Sequence, residues 1–535
     1  MTATFARLNC HMLGDRIDAT YYRSEYIANE LRLHESGLDV VPLSSLVTSG
    51  RRAVYFDTST REESAAPTDW LPFLTADDFG ADGFFLNLNS RRRVSPDFGS
   101  RYPNGRLRVN ELLVKVKGPN QITAYNEREP DRSVLVSGTI WGALVRRALV
   151  DPYYLVTALS STYAATARTR VRTNLNVEFL SPTDLMSLDL PLPRSKDSQT
   201  YIGNKVRQAL RLRECANRID MTAELALASA LGSDPSKWVA DCEAAGMWPN
   251  GGFRTRVSFD NIRGRIDPAG YHPELRAIGK RARSTNALFR RLPDVASIVT
   301  EQRKRIASDA QCNAYISILH VDERGVVDMT AAAAHRPDSD GRLCLAGDVL
   351  LSGINPAANR VGVCRDVAGV AACSPEFSIL VSNHDIHPHY LAFVLRSKPC
   401  LRQLIHLGQG TSSSRRRIEE AELETLWVPI IANSGVVGAA LSNAQSYRQF
   451  SSRLIDTAKV LVEQLINRSI SDEQLSTAQH ALDRGDRSLD RAILSRLTED
   501  GLDIARKPPL FADLDALYAG IDEAQSAQPS SGDAA

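Results

Sequence analysis

The sequence predicts a mixed α/β (α+β) chain built from two repeated globular halves, each followed by a long helix. Three observations carry this. Short motifs recur in the same order at a nearly constant spacing. Runs rich in β-branched and aromatic residues, bounded by Gly and Pro, lie inside each half. One sustained apolar stripe at helical spacing follows each half. The 535 residues leave room for about three or four domains. With 43% hydrophobic and 24% charged residues, the composition is that of an ordinary soluble chain.

The repeat is read from five ordered matches. Arg16, Ile17, Asp18 and Tyr22 return 249 residues later as Arg265, Ile266, Asp267 and Tyr271, and Glu25 falls on Glu274. Pro152, Tyr154, Leu155, Leu159 and Ser161 return at an offset of 236 as Pro388, Tyr390, Leu391, Leu395 and Ser397. Leu185, Leu188 and Pro191 return at 238 as Leu423, Leu426 and Pro429. Between these, NELLVKVKG (110–118) falls near GDVLLSGIN (347–355). Offsets that stay within 13 residues over a whole half point to duplication with small insertions and deletions.

Each half follows one plan. It opens with a tyrosine-bearing segment and a short helix, over residues 26–33 or 275–283. Strands follow at 107–118 and 133–145, or at 342–354 and 376–382. A helix opened by proline starts near residue 153 or 389, because proline is tolerated in a first turn. A short strand, 189–193 or 427–431, closes the half.

Ile202, Val206, Ala209, Leu212, Ala216 and Ile219 then recur at steps of three and four. So do Leu441, Ala444, Tyr447, Phe450, Leu454, Ala458, Leu461 and Leu465. Such narrow stripes suit helix–helix packing, and thirty-odd residues make a rod of about 50 Å. The predicted order is a globular half over 1–195, a helix over 196–235, a second half over 236–432, and a second helix over 433–470. The two helices are expected to pack antiparallel as a coiled-coil spacer. Residues 471–535 hold 13 acidic and 6 basic side chains and read as an acidic, solvated tail, with a docking segment for a basic partner surface as the alternative. Leu494, Leu497, Leu502, Phe511, Leu514, Leu517 and Ile521 could still form short helices there.

Charge and motifs narrow the function. The formal net charge is +1, so any polyanion-binding face must come from segregated charge. No apolar run is long enough for a membrane helix. MTATFARLNC does not read as a secretory signal, and eight scattered cysteines without a C-x-x-C pair predict a reducing cytoplasm. Asp151-Pro152-Tyr153-Tyr154 resembles a methyltransferase loop, but it lacks the second proline and a preceding glycine-rich cofactor turn. It reads as a helix start, as does His387-Pro388-His389-Tyr390. His384, His387 and His389 lack a convincing completing ligand, so no metal site is expected. Glu111 and Lys115 do not have nuclease spacing, and no phosphate-binding loop occurs. No catalytic residue is assigned.

Basic residues supply the remaining signal. Arg91, Arg92, Arg93, Arg101, Arg106, Arg108, Lys115 and Lys117 fall within 27 residues. Arg168, Arg170 and Arg172 alternate at strand-like spacing, and Arg415, Arg416 and Arg417 are read as their counterpart in the second half. Arginine clamps phosphates and reads guanine bidentately. Asn104, Gln409, Ser412 and Ser413 are added as possible base readers or phosphate donors.

Residues 16–470 resemble the specificity subunit of type I restriction-modification systems. The resemblance rests on QTYIGNKVRQALRLRECA (199–216), GDVLLSGI (347–354), HPHYLAFVLRS (387–397) and GTSSSRRRIEEAELETLWVPI (410–430). The first half departs most, with NELLVKVKG in place of the family's Gly-Asp turn. The resemblance implies a non-catalytic DNA-recognition subunit in phage defence. Each half would be a target-recognition domain reading one part of a bipartite double-stranded target. The helices would bind two adenine-N6 methyltransferase subunits, and a restriction–translocase subunit could join them. Arg207, Arg211 and Glu214, off the apolar stripe, are the candidates for that contact. S-adenosylmethionine, ATP and Mg would belong to the partner subunits, with no cofactor in this chain. Two alternatives remain in the enzyme and defence classes: a self-contained methyltransferase or endonuclease with a fused recognition region, and the specificity factor of another methyltransferase-based system. A duplicated protein-binding scaffold is the third.

Overall fold

The computed structural model describes residues 19–527 apart from 53–59, 63–65, 81–82, 89, 119–121, 131–132, 173–177, 243–246, 248–251, 260–261, 263–264, 286–287, 368, 411, 413–414 and 506. The opening motif Arg16-Ile17-Asp18 and Ser413 lie outside them. The chain divides into two compact units, Met1–Glu214 with Tyr447–Ala535, and Cys215–Ser446. No helix among the described residues is long and apolar enough to cross a membrane.

The first half runs α1 (Ser24–Glu35), β1 (Asp39–Pro42), α2 (Leu43–Leu46), β2 (Arg51–Arg52), β3 (Arg61–Glu62), β4 (Leu71–Leu74), β5 (Arg92–Val94), α3 (Pro96–Arg101), β6 (Glu111–Lys115), β7 (Thr123–Asn126), β8 (Leu135–Val136), β9 (Ile140–Leu144), α4 (Pro152–Leu159), α5 (Thr162–Val171), α6 (Pro182–Met186), β10 (Asp189–Leu192) and the long helix α7 (Lys196–Leu231). After α8 (Pro235–Ala240) the second half runs α9 (Pro273–Ser284), β11 (Phe289–Arg291), α10 (Leu292–Val295), β12 (Ala296–Ile298), β13 (Arg305–Ile306), β14 (Ala314–Ile316), α11 (Met329–Ala334), β15 (Gly341–Cys344), β16 (Val349–Ser352), β17 (Val361–Val363), β18 (Ala371–Cys373), β19 (Phe377–Ser382), α12 (Pro388–Arg396), α13 (Lys398–Leu407), α14 (Glu420–Leu423), β20 (Trp427–Pro429) and the second long helix α15 (Ser434–Ile466).

The duplication holds at the level of topology. In the first half β1 pairs with β10, a second sheet has the order β2-β9-β6-β7, and a third has β3-β5-β4-β8. In the second half β11 pairs with β20, and the larger sheets are β12-β19-β16-β17 and β13-β15-β18-β14. Pairings are antiparallel except β4 with β8 and β14 with β18, which are parallel in both halves. One difference stands out: β5 lies beside β4, whereas β15 lies beside β18. Correspondingly α3 follows β5 but α11 precedes β15.

Matching contacts fix the frame. Asp151 caps α4 by accepting from the N–H groups of Tyr153 and Tyr154, and His387 caps α12 through Nδ1. The two helix-start readings are therefore structural. The Tyr154 hydroxyl donates to the Pro191 carbonyl at 2.8 Å, and Tyr390 donates to that of Pro429 at 3.0 Å. Strand β16 is buried on both faces, which is why it reads as an unbroken apolar run. Leu350 enters a core shared by the two larger sheets of its half, with Ile316, Cys373 and Ile379. Val349 and Leu351 face the helical layer with Tyr390, Leu391 and Leu407.

The acidic C-terminal segment packs, contrary to the solvated tail expected from its charge. It forms α16 (Asp472–Asp483), α17 (Ser488–Leu494), β21 (Leu497–Thr498), β22 (Gly501–Leu502) and α18 (Leu514–Ser526). Leu494, Leu497, Phe511, Leu517 and Ile521 are buried. Four of the acidic side chains are matched locally, by Arg487 with Asp522, Arg491 with Asp515, Arg496 with Asp503 and Lys507 with Asp500.

Candidate nucleic-acid interface

Each half builds a pair of turns around the strand β6 or β16. Asn110 and Gly347 both take left-handed backbone, φ 58° and 90°. The next residue is a buried carboxylate that reaches back to a backbone N–H three residues earlier. Glu111 accepts from Arg108 at 3.0 Å, and Asp348 accepts from Leu345 at 2.8 Å. Asn-Glu thus does in the first half what Gly-Asp does in the second. An arginine then locks each carboxylate. Arg51 forks onto Glu111 at 2.7 Å on both oxygens, and Arg303 holds Asp348 at 2.5 Å. Burial pushes the Asp348 carboxyl up, against the Leu345 N–H and Arg303, which favour its charged form. These two arginines carried no sequence signal, because their partners lie 60 and 45 residues away.

Arg51 also donates to the carbonyls of Asn104 and Arg106. The exposed Asn104 and Arg106 side chains therefore stand on a pinned turn. Arg91 and Arg92 are exposed near β5, with Arg92 3.7 Å from Asp77. Arg101 is exposed on α3 and pairs with Asp97 at 2.6 Å. Lys115 and Lys117 are half-exposed at the end of β6. Arg93 is buried and donates to the Ser90 carbonyl, so it belongs to the sheet's framework.

At the far end of the same strands, a second turn is closed by backbone pairing. Residue 117 bridges 179 in the first half, and 354 bridges 417 in the second. Gly118 N–H donates to the Glu178 carbonyl at 2.9 Å, and Asn355 N–H to that of Arg416 at 2.9 Å. Gln409 and Arg417 exchange both main-chain bonds, at 2.7 and 2.8 Å, and Gly410 at φ 126° makes the turn between them possible. On this loop Arg415, Arg417 and Ser412 are exposed. Among the described residues Arg415 and Arg417 have no ion-pair partner. Arg416 is half-buried, with Nε turned inward and unbonded.

This pairing corrects the alignment of the arginine clusters. The positions matching Arg416 and Arg417 are Glu178 and Phe179, not 168–172. Residues 168–171 belong to helix α5, which Ser161 caps and alanines favour, so the spacing of two does not mark a strand. Arg168 is 3% exposed, and burial with Arg172 nearby lowers its guanidinium to about 10. Arg170 pairs with Glu30 at 2.8 Å and stacks on Tyr21, while Arg172 pairs with Glu178. The first pair ties α5 to α1.

The matching tie in the second half is a cluster that sequence reading passed over. Glu274 on α9 accepts from Arg402 at 2.8 and 2.5 Å and meets His406 Nε2 at 2.7 Å. His272 stacks on His406, with centroids 3.9 Å apart. Its ligand atoms lie within 4.8 Å of one another. His272 Nδ1 accepts the Glu274 N–H at 3.2 Å and the carboxylate is occupied by Arg402, so the group reads as a helix clamp. The histidines near α12 form no metal-type cluster among the described residues.

The residues expected to meet a partner are partly engaged within the chain. Arg207 bonds Asp151 at 2.6 Å and lies over Tyr153. Glu214 is exposed 3.5 Å from Arg128, and Arg211 is half-exposed.

No protein-family model matches the chain, and no curated protein is similar to it in sequence. Solved S subunits are similar to it. The type I restriction-modification S subunit from M. genitalium shares 11% identity over 83% of this chain and 96% of its own, with a TM-score of 0.37. The HsdS subunit from Thermoanaerobacter tengcongensis shares 13% over 81% and 97%, with a TM-score of 0.24. A chain from a type I system, described for its complex assembly and conformational transition, shares 12% over 80% and 97%, with a TM-score of 0.25.

Proposed function

We propose that this chain is the DNA-specificity subunit of a type I restriction-modification system, in which each half reads one block of a bipartite duplex target. The observation that supports it most is the duplication: one fold, built twice with the same pairing in two of its three sheets, carries a different set of exposed side chains each time. Two similar frames with different displays suit a target of two unlike blocks. The first half offers Arg91, Arg92, Arg101, Asn104, Arg106, Lys115 and Lys117, and the second offers Gln409, Ser412, Arg415 and Arg417. Guanidinium groups on pinned turns can clamp phosphates or fork onto guanine.

On this reading the chain does no chemistry. Methyl transfer with S-adenosylmethionine and any ATP- and Mg-driven cleavage belong to methyltransferase and restriction–translocase subunits, assembled with it in the cytoplasm. The long helices α7 and α15 set the gap between the blocks.

Selection from random duplexes with the assembled complex tests this. The expected result is two short sequence blocks separated by a gap of fixed length. Removing four residues from one long helix shortens it by about 6 Å, roughly two base pairs, and should change the gap but neither block. A single contiguous block, or methyl transfer by the isolated chain, would overturn the reading.

A further inference from the structure

At the offset of 249 that lays α1 on α9, Ile27, Leu31 and His34 correspond to Arg276, Lys280 and Arg283. At 238, Asp189 on β10 corresponds to Trp427 on β20. One frame therefore holds isoleucine, leucine, histidine and aspartate where the other holds three cations and an indole.

Arg276, Lys280 and Arg283 stand four and three residues apart, so they form one ridge along α9, and all three are exposed. The sole carboxylate of α9, Glu274, is taken by Arg402 and His406. Among the described residues none of the three cations has an ion-pair partner. Arg276 donates to the Thr255 hydroxyl at 3.1 Å and to the Arg256 carbonyl at 2.8 Å, which fixes the guanidinium and leaves its charge unmatched. Arg283 and Arg291 both lie over the Trp427 ring, 5.8 and 5.2 Å from its centroid, so two guanidinium groups share one neutral platform. Like charges at such spacing repel within a helix, and the helix dipole opposes a cation near the start, where Arg276 sits. The row is therefore not a device for stabilising α9.

The ridge also has a telling place. Helix α9 runs back along α13: His272 stacks on His406, Glu274 reaches Arg402, and Gly279 lies against the Trp427 indole. The ridge thus starts beside the end of α13, which opens directly into the Gln409–Arg417 loop, and leads away from it. From Arg276 to Arg283 the helix advances about 10 Å, the axial length of about three phosphates on one strand at roughly 3.4 Å each.

We propose that the Arg276–Lys280–Arg283 ridge is a phosphate track that the second half carries and the first lacks, so the complex grips duplex beside one block of its target by charge alone. This rests on the specificity-subunit reading. A row of unmatched cations continuous with the proposed reading loop fits the regular phosphates of a DNA strand better than a protein face, whose carboxylates have no such repeat.

Phosphate-ethylation interference on the target duplex, with the assembled complex, tests this. Ethylation of about three successive phosphates beside the block read by Arg415 and Arg417 should each weaken binding, with no equivalent run beside the other block. Lys280→Ala with Arg283→Ala changes exposed side chains alone. It should remove interference at two of those phosphates, lower the slope of log K against log salt by about 1.8, and leave both selected blocks unchanged. Lys280→Arg with Arg283→Lys keeps the charges and should keep the slope. A parental slope and pattern in the alanine variant would overturn the track and leave the specificity reading standing. So would altered bases in either block, which would make the ridge a sequence reader. Loss of a methyltransferase subunit with the salt slope intact would make it a protein contact and overturn the track as well. A parent that selects no two-block target, while the alanine variant still loses slope, would overturn the specificity reading and keep a nucleic-acid track.

Discussion

Arg415 and Arg417 offer the sharpest test of DNA contact. Replacing both by Ala removes two exposed guanidinium groups from a loop whose backbone is held by its own pairing to residues 353–355 and 409. The fold should survive. Each lost phosphate contact lowers the slope of log K against log salt by about 0.9, so the double variant should lose about 1.8. Between 50 and 200 mM salt that is about a twelvefold smaller drop in affinity than the parent shows. Arg416 is half-buried with its Nε shielded from solvent, so adding Arg416→Ala should change the slope by less than either exposed arginine does. Arg168→Met is the control from the other half. That side chain is in the core, and its loss should leave the slope untouched. Fluorescence anisotropy of a labelled duplex, titrated across a potassium chloride series, measures all four proteins. The reasoning is refuted if the double variant keeps the parental slope, or if Arg168→Met flattens it equally.

Acid should loosen the clamp between α9 and α13. Against the upward push of burial, hydrogen bonds from His406 and Arg402 hold the Glu274 carboxyl at about 2, so its contribution is complete above about 4.5 and fades as pH falls towards 2. Burial and His406 lower His272 to about 4, so it resists a proton that the unfolded chain takes up below about 6.5, and stability falls between those values too. With solvent screening, about 1–2 kcal/mol should be lost in all, with Glu274→Gln removing the part below 4.5; hydrogen exchange of α9 and α13, corrected for intrinsic rates, reads it. Asp490→Ala strands the buried Lys205 ammonium that it holds at 2.5 Å and should cost about 3–5 kcal/mol, and adding Lys205→Met should return about half of it, as scored by protease release of the C-terminal segment. Tyr154→Phe and Tyr390→Phe each orphan a proline carbonyl for about 1–3 kcal/mol in urea denaturation. The loss at 390 should be greater, because that hydroxyl also accepts the Ile431 N–H at 3.1 Å.

What the sequence revealed was whatever local pattern controls. The offsets of 236 to 249 reappear as paired strands and helices, and the proline-opened helices start where Asp151 and His387 cap them. Two-residue strands such as β3 are too short to show periodicity, so the third sheet of each half was legible only where β8 and β15 fall inside longer predicted strands. The arginines at 168, 170 and 172 misled because a spacing of two was weighed above the alanine-rich run containing them. The acidic tail misled because its charge was counted without its partners, four of which lie within the segment itself. The cluster of His272, Glu274 and His406 joins residues 132 positions apart, and nothing local announces it.

The Asn110–Glu111 and Gly347–Asp348 turns constrain how such a chain can drift. A glutamate exceeds an aspartate by one methylene, about 1.5 Å of reach, yet both carboxylates end against a backbone N–H and an arginine. Glu111→Asp alone would draw the carboxylate back from Arg51, while Asp348→Glu alone would drive it into Arg303. Neither substitution is harmless unless the opposing arginine moves with it. The two positions are therefore epistatic, and intermediates between the halves are less fit than either end. A chimera cut between residues 51 and 111, or between 303 and 348, inherits half of a matched pair. Seams placed outside those intervals keep each lock with its own key.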